Sequence, residues 1–377
     1  MTEWVIEAST FCNLRCAYCY EWDGLSNPAR MPLASVRKVL RAACDYHVRR
    51  EAGSGAPART SIIWHGGEPL TLPLDYLEAI FELAREVIAE SCIDRKRITL
   101  AMQTNLYAVS DRALGLLKQH RIGLGVSFDL VRGVRRTLTG KATEDRVLRN
   151  LERLREAGIE HGAITVLATH TCPAICDIFD FWAARRVPWR VLPLFAGPPG
   201  RDHAAFAASE DELVQAMCRL FAHWMRARAQ IVVKPLDEWL ANVVRHMIGL
   251  RARPYDRRQG ETVFVVRPDG NVLQVGDLGN TSQPLGNLEH QTIAELLASP
   301  AYAASLDRTD AITEKLCGGC RFRGGCDGYP AHASPIESLD RERCPVTHRV
   351  YGFIERHLQS AGLGAGELRA LAEGAVS

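Results

Sequence analysis

Six short apolar, β-branched stretches alternate with helix-period stretches through the first half of this chain, and that alternation restricts the fold more than any other feature. The candidate strands are residues 4–9, 61–64, 98–102, 124–128, 163–168 and 190–194. Helical patterns lie between them, near 34–50, 73–90, 110–120, 143–157 and 173–186. In the fourth, Val147, Leu148, Leu151 and Leu154 recur at three- and four-residue steps, which gives a core-facing stripe. Repeated βα units with near-continuous apolar strands specify a parallel sheet covered by helices. The expected fold is therefore α/β, with the sheet curled as a partial (β/α)6 barrel. Barrels of this kind carry their chemistry on the loops after the C-terminal ends of the strands.

The first such loop reads Cys12-Asn13-Leu14-Arg15-Cys16-Ala17-Tyr18-Cys19, followed by Tyr20. Its C-x3-C-x2-C spacing puts three thiolates in one short segment. A cubane iron–sulfur cluster has four iron corners and normally takes four Cys. Three ligands would leave one iron open to a group that is not protein. Zinc is the competing reading, but zinc ligands usually come as two pairs. No fourth Cys or His occurs within the twenty residues after Cys19.

The loop resembles the signature of the radical S-adenosylmethionine (radical SAM) superfamily. That resemblance implies that the open iron binds the amino and carboxylate groups of SAM. Reductive cleavage of the sulfonium would then yield a 5′-deoxyadenosyl radical that takes a hydrogen atom from an unactivated C–H bond. His65-Gly66-Gly67-Glu68-Pro69, one βα unit later, is similar to the family's GGEP motif. This implies contact of Gly66, Gly67, Glu68 and Pro69 with the SAM amino group, the glycines allowing close backbone approach. Gln103-Thr104-Asn105 and Ser127-Phe128-Asp129 end the third and fourth strands. Within them, Gln103, Asn105 and Ser127 resemble positions that line the SAM pocket. Arg135, five residues before Gly140, is similar to an arginine that pairs with the SAM carboxylate, a task suited to a guanidinium. Arg132 and Arg136 stand close enough to compete. Strand-end caps and a surface basic patch are the plain readings of these residues.

A second group, Cys317, Cys320, Cys326 and Cys344, has the spacing C-x2-C-x5-C-x17-C and is threaded with Gly318, Gly319, Gly324 and Gly325. Four sulfurs form a closed site compatible with zinc or with iron–sulfur. Just before it, segments 262–267 and 272–275 flank Pro268-Asp269-Gly270-Asn271, a hairpin by its turn chemistry. Together these features resemble a SPASM domain, a C-terminal module of radical SAM enzymes that modify peptides and proteins. Full SPASM domains hold two auxiliary clusters. Here Gln274-Val275 stands where relatives have Pro-Cys, no Cys falls between Cys218 and Cys317, and Pro330 replaces another Cys. The resemblance thus implies two 4Fe–4S clusters, one SAM-binding and one auxiliary, with S-adenosyl-L-methionine. The auxiliary cluster would transfer electrons or staple the module, both readings remaining open. Cys44, Cys92, Cys172, Cys176 and Cys218 read as structural or incidental.

The expected organisation is a barrel over 1–196, a helical connector over 197–260, a SPASM-like domain over 261–360 and a flexible tail over 361–377. Helices are expected near 209–228, 235–249, 291–298 and 346–359. The basic stretch 251–258 would hold an acidic peptide or form a solvated loop. Forty-six Lys and Arg against 44 Asp and Glu give a net charge of +2, which offers bulk electrostatics no reason for nucleic-acid or membrane binding. Without a signal pattern or a long apolar run, and with twelve Cys, a cytoplasmic location is expected.

The reduced ligand set resembles maturases of ribosomally made peptides, which implies a precursor peptide as substrate. The implied reaction is an intramolecular cross-link: a cyclophane, another C–C bond, a thioether or an ether. Gln274-Val275-Gly276-Asp277 is similar to a Gln-Val-Asp stretch in some of them, making Asp277 a candidate general base or an ordinary turn residue. With no leader-binding domain in view, leader recognition would fall to a separate protein or to the catalytic fold. An electron donor such as flavodoxin or ferredoxin is implied. Epimerisation and formylglycine formation are the competing reactions, and a non-catalytic metal scaffold is the competing class.

Overall fold

All six apolar stretches become strands, and the expected helices lie between them. A computed structural model describes residues 1–55, 57–194, 205–227, 231–250, 256–273, 284–324, 326, 344 and 346–374. In chain order the first elements are β1 (Thr2–Ser9), β2 (Leu14–Cys16), α1 (Leu33–Ser54), β3 (Thr60–Gly66), α2 (Leu74–Glu90), β4 (Ile98–Thr104), α3 (Asp111–His120) and β5 (Gly123–Ser127). Then come β6 (Arg135–Thr137), α4 (Glu144–Glu156), β7 (His161–Leu167), α5 (Ile175–Ala184), β8 (Trp189–Pro193), α6 (Glu210–Arg226), β9 (Val233–Lys234) and α7 (Leu236–Met247). The C-terminal part holds β10 (Val263–Val266), β11 (Asn271–Leu273), β12 (Gly286–Asn287), α8 (Ile293–Leu297), α9 (Pro300–Cys317), α10 (Thr347–Ser360) and α11 (Ala365–Gly374).

One sheet runs in the order β12-β11-β10-β1-β3-β4-β5-β7-β8-β9, and β2 and β6 form a separate ribbon. Every pair from β10 through β9 is parallel; β11 and β12 add an antiparallel edge. One face of this sheet is dry. Trp4 stacks on Phe264 at 4.5 Å and meets Tyr46 of α1 edge-on, Trp64 meets Phe81 of α2, and Phe128 meets Trp182 of α5. Alternate residues, including Val5, Ile63, His65, Gln103, Ser127, Ile164 and Arg190, face the interior and are only half buried. The strands thus alternate under a period of two, with the helices on one side and the site on the other.

Three features depart from expectation. The C-terminal hairpin continues the barrel sheet, because β10 pairs with β1 in parallel from Glu3↔Val263 to Ile6↔Val266. Helix α9 fills the stretch between the short helix and the second cysteine group. Its start was signalled by Ser299, whose hydroxyl accepts from the Tyr302 N–H at 3.1 Å, and by Pro300 in the first turn. The supposed flexible tail contains α11, with Leu368 buried and Leu363 and Leu371 packed on the core. Leu368 and Leu371, three residues apart on the helix, with Leu363 just before it, outweigh the Gly/Ala-rich composition that suggested fraying. Leu368→Ala should therefore cost about 2–3 kcal/mol of stability, read as a lower urea midpoint; an unchanged midpoint would show that α11 does not dock.

Where the basic stretch is described, Arg258 is exposed as in a solvated loop, but Arg257 is not. Arg257 is 4% exposed and donates to Glu261, Ser305 and Thr309, while Arg258 pairs with Asp307 and Asp310. These contacts dock α9 against the start of β10; residues 251–255 lie outside the described residues. No helix among the described residues is long and apolar enough to cross a membrane.

Candidate active site

Strand β1 delivers the chain to the cysteine loop at the C-terminal edge of the sheet. The backbone fixes the loop's shape: the Cys12 N–H donates to Leu25 O at 3.0 Å and the Cys19 N–H to Cys16 O at 3.0 Å. Cys16 sits in β2, opposite Arg135 of β6. Cys12 is buried, Cys16 and Cys19 are half buried, and all three are free thiols. Cys12 Sγ accepts from the Leu14 N–H at 3.4 Å and from Asn105 Nδ2 at 3.7 Å. Burial pushes the Cys12 and Cys19 thiols up to about 12. Three thiolates can therefore share this loop only if a cation compensates their charge, which iron would do. Among the described residues no three His, Cys, Asp or Glu side chains converge as for a single ion. A cubane needs no such convergence, since each thiolate takes a different iron.

The glycines of His65-Gly66-Gly67-Glu68-Pro69 serve the chain's own backbone. A Cβ on Gly66 would lie 2.1 Å from Ser9 O, and one on Gly67 would lie 2.2 Å from the carbonyls of both Thr10 and Phe11. The Gly67 N–H donates to Ser9 O at 3.0 Å and the Glu68 N–H to Phe11 O at 2.9 Å. These bonds clamp the end of β3 onto the entry to the cysteine loop. The Glu68 carboxylate is buried, accepting from the Asn105 N–H at 2.6 Å, Thr104 Oγ1 at 2.7 Å and the Leu70 N–H at 3.0 Å. Burial pushes its pKa up to about 7 against those three donors. Pro69 is buried at the start of a single 3-10 turn. Beside the motif, burial pulls His65 down to about 4, so its ring is neutral at pH 7.

Asn105 and Arg135 both lean on the loop. Asn105 Nδ2 donates to Asn13 Oδ1 at 2.9 Å. Arg135 is 8% exposed, and its Nε donates to Asp129 Oδ2 at 3.0 Å. Asp129 also accepts from the Tyr18 hydroxyl and from the Val166 N–H at 3.1 Å, while the His170 ring stacks on Tyr18 at 5.6 Å. Burial opposes ionisation of Asp129, but Arg135 and the bonds from neighbouring side chains outweigh it and hold the carboxyl well below its usual range. Of the three arginines, only Arg135 is inside. Arg132 is exposed on Asp145, and exposed Arg136 donates to Gly133 O at 2.8 Å. Gln103 and Ser127 share the interior face, Nε2 to Oγ at 2.6 Å. Sequence reasoning passed over Asp129 and Tyr18 as functional residues. Tyr18 lies between two cluster cysteines and Asp129 ends a barrel strand, which were the available signals.

The second cysteine group gathers below α9 and α10. Cys317 ends α9, and the Cys320 N–H donates to Cys317 O at 3.1 Å. Burial, with Cys344 and Cys320 nearby, pushes Cys317 up to about 11. Cys320 and Cys344 line a cavity of about 180 Å³ with Leu316, Gly319, Arg321 and His348. Phe322, 1% exposed, anchors the segment against His246, His348 and Tyr351. Cys326 lies on the same segment, and among the described residues these thiols, like those of the first loop, do not converge on a single ion. Asp277, Gln274–Gly276 and Pro330 lie outside the described residues.

Comparison with known proteins adds to this geometry. The Radical SAM superfamily profile matches residues 6–181. The serine-type anaerobic sulfatase-maturating enzyme of Klebsiella aerogenes is 24% identical over 332 residues, 85% of this chain and 77% of that protein. The cysteine-type enzyme of Clostridium novyi (strain NT) is 21% identical over 338 residues, 85% of this chain and 86% of that one. Among solved structures, native anSMEcpe with bound AdoMet and Cp18Cys peptide superposes with a TM-score of 0.74 at 16% identity, covering 99% of both chains. SuiB of Streptococcus suis bound to precursor peptide SuiA gives 0.62 at 16% identity, over 91% of this chain and 74% of that one. At such identities the solved structures speak to the fold alone. The family implies a 4Fe–4S cluster and SAM, and the donor set at the cysteine loop fits both. This chain therefore carries a radical SAM domain and is homologous, over most of its length, to the anaerobic sulfatase-maturating enzymes.

Proposed function

We propose that this chain is a radical SAM enzyme that oxidises a side chain of a peptide or protein substrate. The observation that carries the reading is the three-thiol loop, one thiol buried and two half buried, at the C-terminal edge of a parallel sheet. When bound, the cluster and SAM supply abstraction of a hydrogen atom from carbon. Cys12, Cys16 and Cys19 would hold the first cluster, and Cys317, Cys320, Cys326 and Cys344 an auxiliary one. Asn105 and Leu14 orient the Cys12 sulfur, and the Asp129–Arg135–Tyr18 network fixes the strand that carries Cys16. Gln103 and Ser127 offer polar contacts from the half-buried interior. Arg135, its orientation fixed by Asp129, would pair with the SAM carboxylate at the loop.

Two finer reactions compete. Similarity to the serine- and cysteine-type sulfatase-maturating enzymes favours conversion of a Ser or Cys side chain to formylglycine. The cross-link reading gains nothing from these comparisons. It keeps one support of its own, the thiols replaced by Gln274-Val275 and Pro330. Asp277 remains the candidate base under that reading.

Mass spectrometry separates them. Anaerobically reconstituted protein with dithionite and SAM should release 5′-deoxyadenosine; a scaffold would release none. With a sulfatase-derived peptide, formylglycine formation creates an aldehyde that a hydrazide captures. A cross-link in a precursor peptide removes two hydrogens and leaves no aldehyde, and epimerisation leaves the mass unchanged. An aldehyde-free product would overturn the formylglycine reading.

A further inference from the structure

Three charged side chains from separate parts of the chain meet behind the cysteine loop, and the chemistry proposed above uses none of them. Trp4, Ile6 and Ala8 of β1 pack under the helices, so Glu7 points into the interior, where it is fully buried. Glu21 stands two residues after Cys19 and is 6% exposed. Arg267 follows β10 and opens the Pro268-Asp269-Gly270 turn. The β1–β10 register reaches Ile6↔Val266, which makes Glu7 and Arg267 the next pair along. A single nitrogen serves both acids: Arg267 Nη1 donates to Glu7 Oε2 at 2.9 Å and to Glu21.

Both ends of this clamp are stiff. On the hairpin side, the Arg267 N–H donates to Asn271 O and the Gly270 N–H to Arg267 O, each at 2.9 Å. On the loop side, the Gly24 N–H donates to Glu21 O at 2.9 Å, and the next residue, Leu25, accepts from the Cys12 N–H at 3.0 Å. A shift of Glu21 therefore reaches the segment that sets Cys12.

We propose that Arg267 is a positioning residue through which the C-terminal hairpin holds the cysteine loop against the barrel; its link to catalysis rests on reading that loop as the cofactor site. Without the guanidinium, two carboxylates face each other with no counter-charge, and Glu7 has no route to water. Glu21, the less buried of the two, is the arm free to swing outward, taking the loop after Cys19 with it. Because one nitrogen makes both bonds, the point charge of a lysine can replace it. The Asp129–Arg135 pair, which uses Nε and Nη2, permits no such exchange.

The test is amide hydrogen exchange on the anaerobically reconstituted holoenzyme, comparing wild type with Arg267→Met, Arg267→Lys and Glu21→Gln. Arg267→Met should speed exchange over residues 21–25 by about tenfold or more while β3, β4 and β5 stay protected. Arg267→Lys should restore protection, and the SAM KM should follow the same order. Glu21→Gln, which removes one charged arm, should give a smaller increase and stands in if Arg267→Met does not fold. Unchanged loop exchange in Arg267→Met or Glu21→Gln, or equal loosening in the methionine and lysine variants, would overturn the proposal. Iron content and SAM cleavage of the wild type report separately on the cofactor reading. A wild type without either would sink that reading while the exchange data still judge the clamp.

Discussion

Cys16→Ala should abolish release of 5′-deoxyadenosine from SAM, a loss of more than about a hundredfold, since even outer-shell changes at metal sites reach that range. The loop offers only three thiols, so none is redundant. Cys16 is the middle ligand, and its backbone is paired with Arg135 across the β2–β6 ribbon, so no neighbouring sulfur can shift into its place. Removing the sulfur leaves two thiols raised by burial to about 12, which favour protonation over a two-point hold on iron. Chromatographic assay of 5′-deoxyadenosine and iron per chain are the measurements. Cys92→Ala is the matched control, because Cys92 is exposed and outside both groups. It should keep iron and turnover. Wild-type turnover in Cys16→Ala would show that the open-iron reading of this loop is wrong.

The parts of this site that were legible in sequence are those written locally. The spacing of Cys12, Cys16 and Cys19 sits within one loop, and the strand before it has a period that a linear reading detects. Long-range partners leave no such mark. Nothing near Arg135 announces that Asp129 holds it or that Tyr18 shares the same carboxylate. Arg267 is 246 residues from Glu21, and only the pairing of β10 with β1 brings them together. Arg257 shows the converse: its basic surroundings suggested a surface, yet it is buried on Glu261, Ser305 and Thr309. Helix α11 was missed because the Gly/Ala-rich composition of the tail was weighed above its leucines. Local propensity is a weak prior where tertiary packing can override it.

Gly67→Ala tests why that glycine is there. The sequence suggests room for a ligand; the structure fills the same room with the carbonyls of Thr10 and Phe11, each 2.2 Å from the missing Cβ. Both obstacles are backbone, so no side chain can rotate away. Relief requires the entry to the cysteine loop to move, at the expense of the Gly67–Ser9 and Glu68–Phe11 hydrogen bonds. Overpacking and two lost bonds should together cost about 3 kcal/mol or more. Displacing Phe11 also displaces Cys12, so iron content should fall with stability. A glycine needed only for ligand approach would behave differently, keeping iron and melting temperature and weakening SAM binding alone. Gly115→Ala in α3 is the control, since a Cβ there meets nothing within 4 Å and the helix should gain up to about 1 kcal/mol. Melting curves and iron assays on these two variants decide whether the turn after β3 shapes the cofactor pocket directly or by bracing the loop that carries the cysteines.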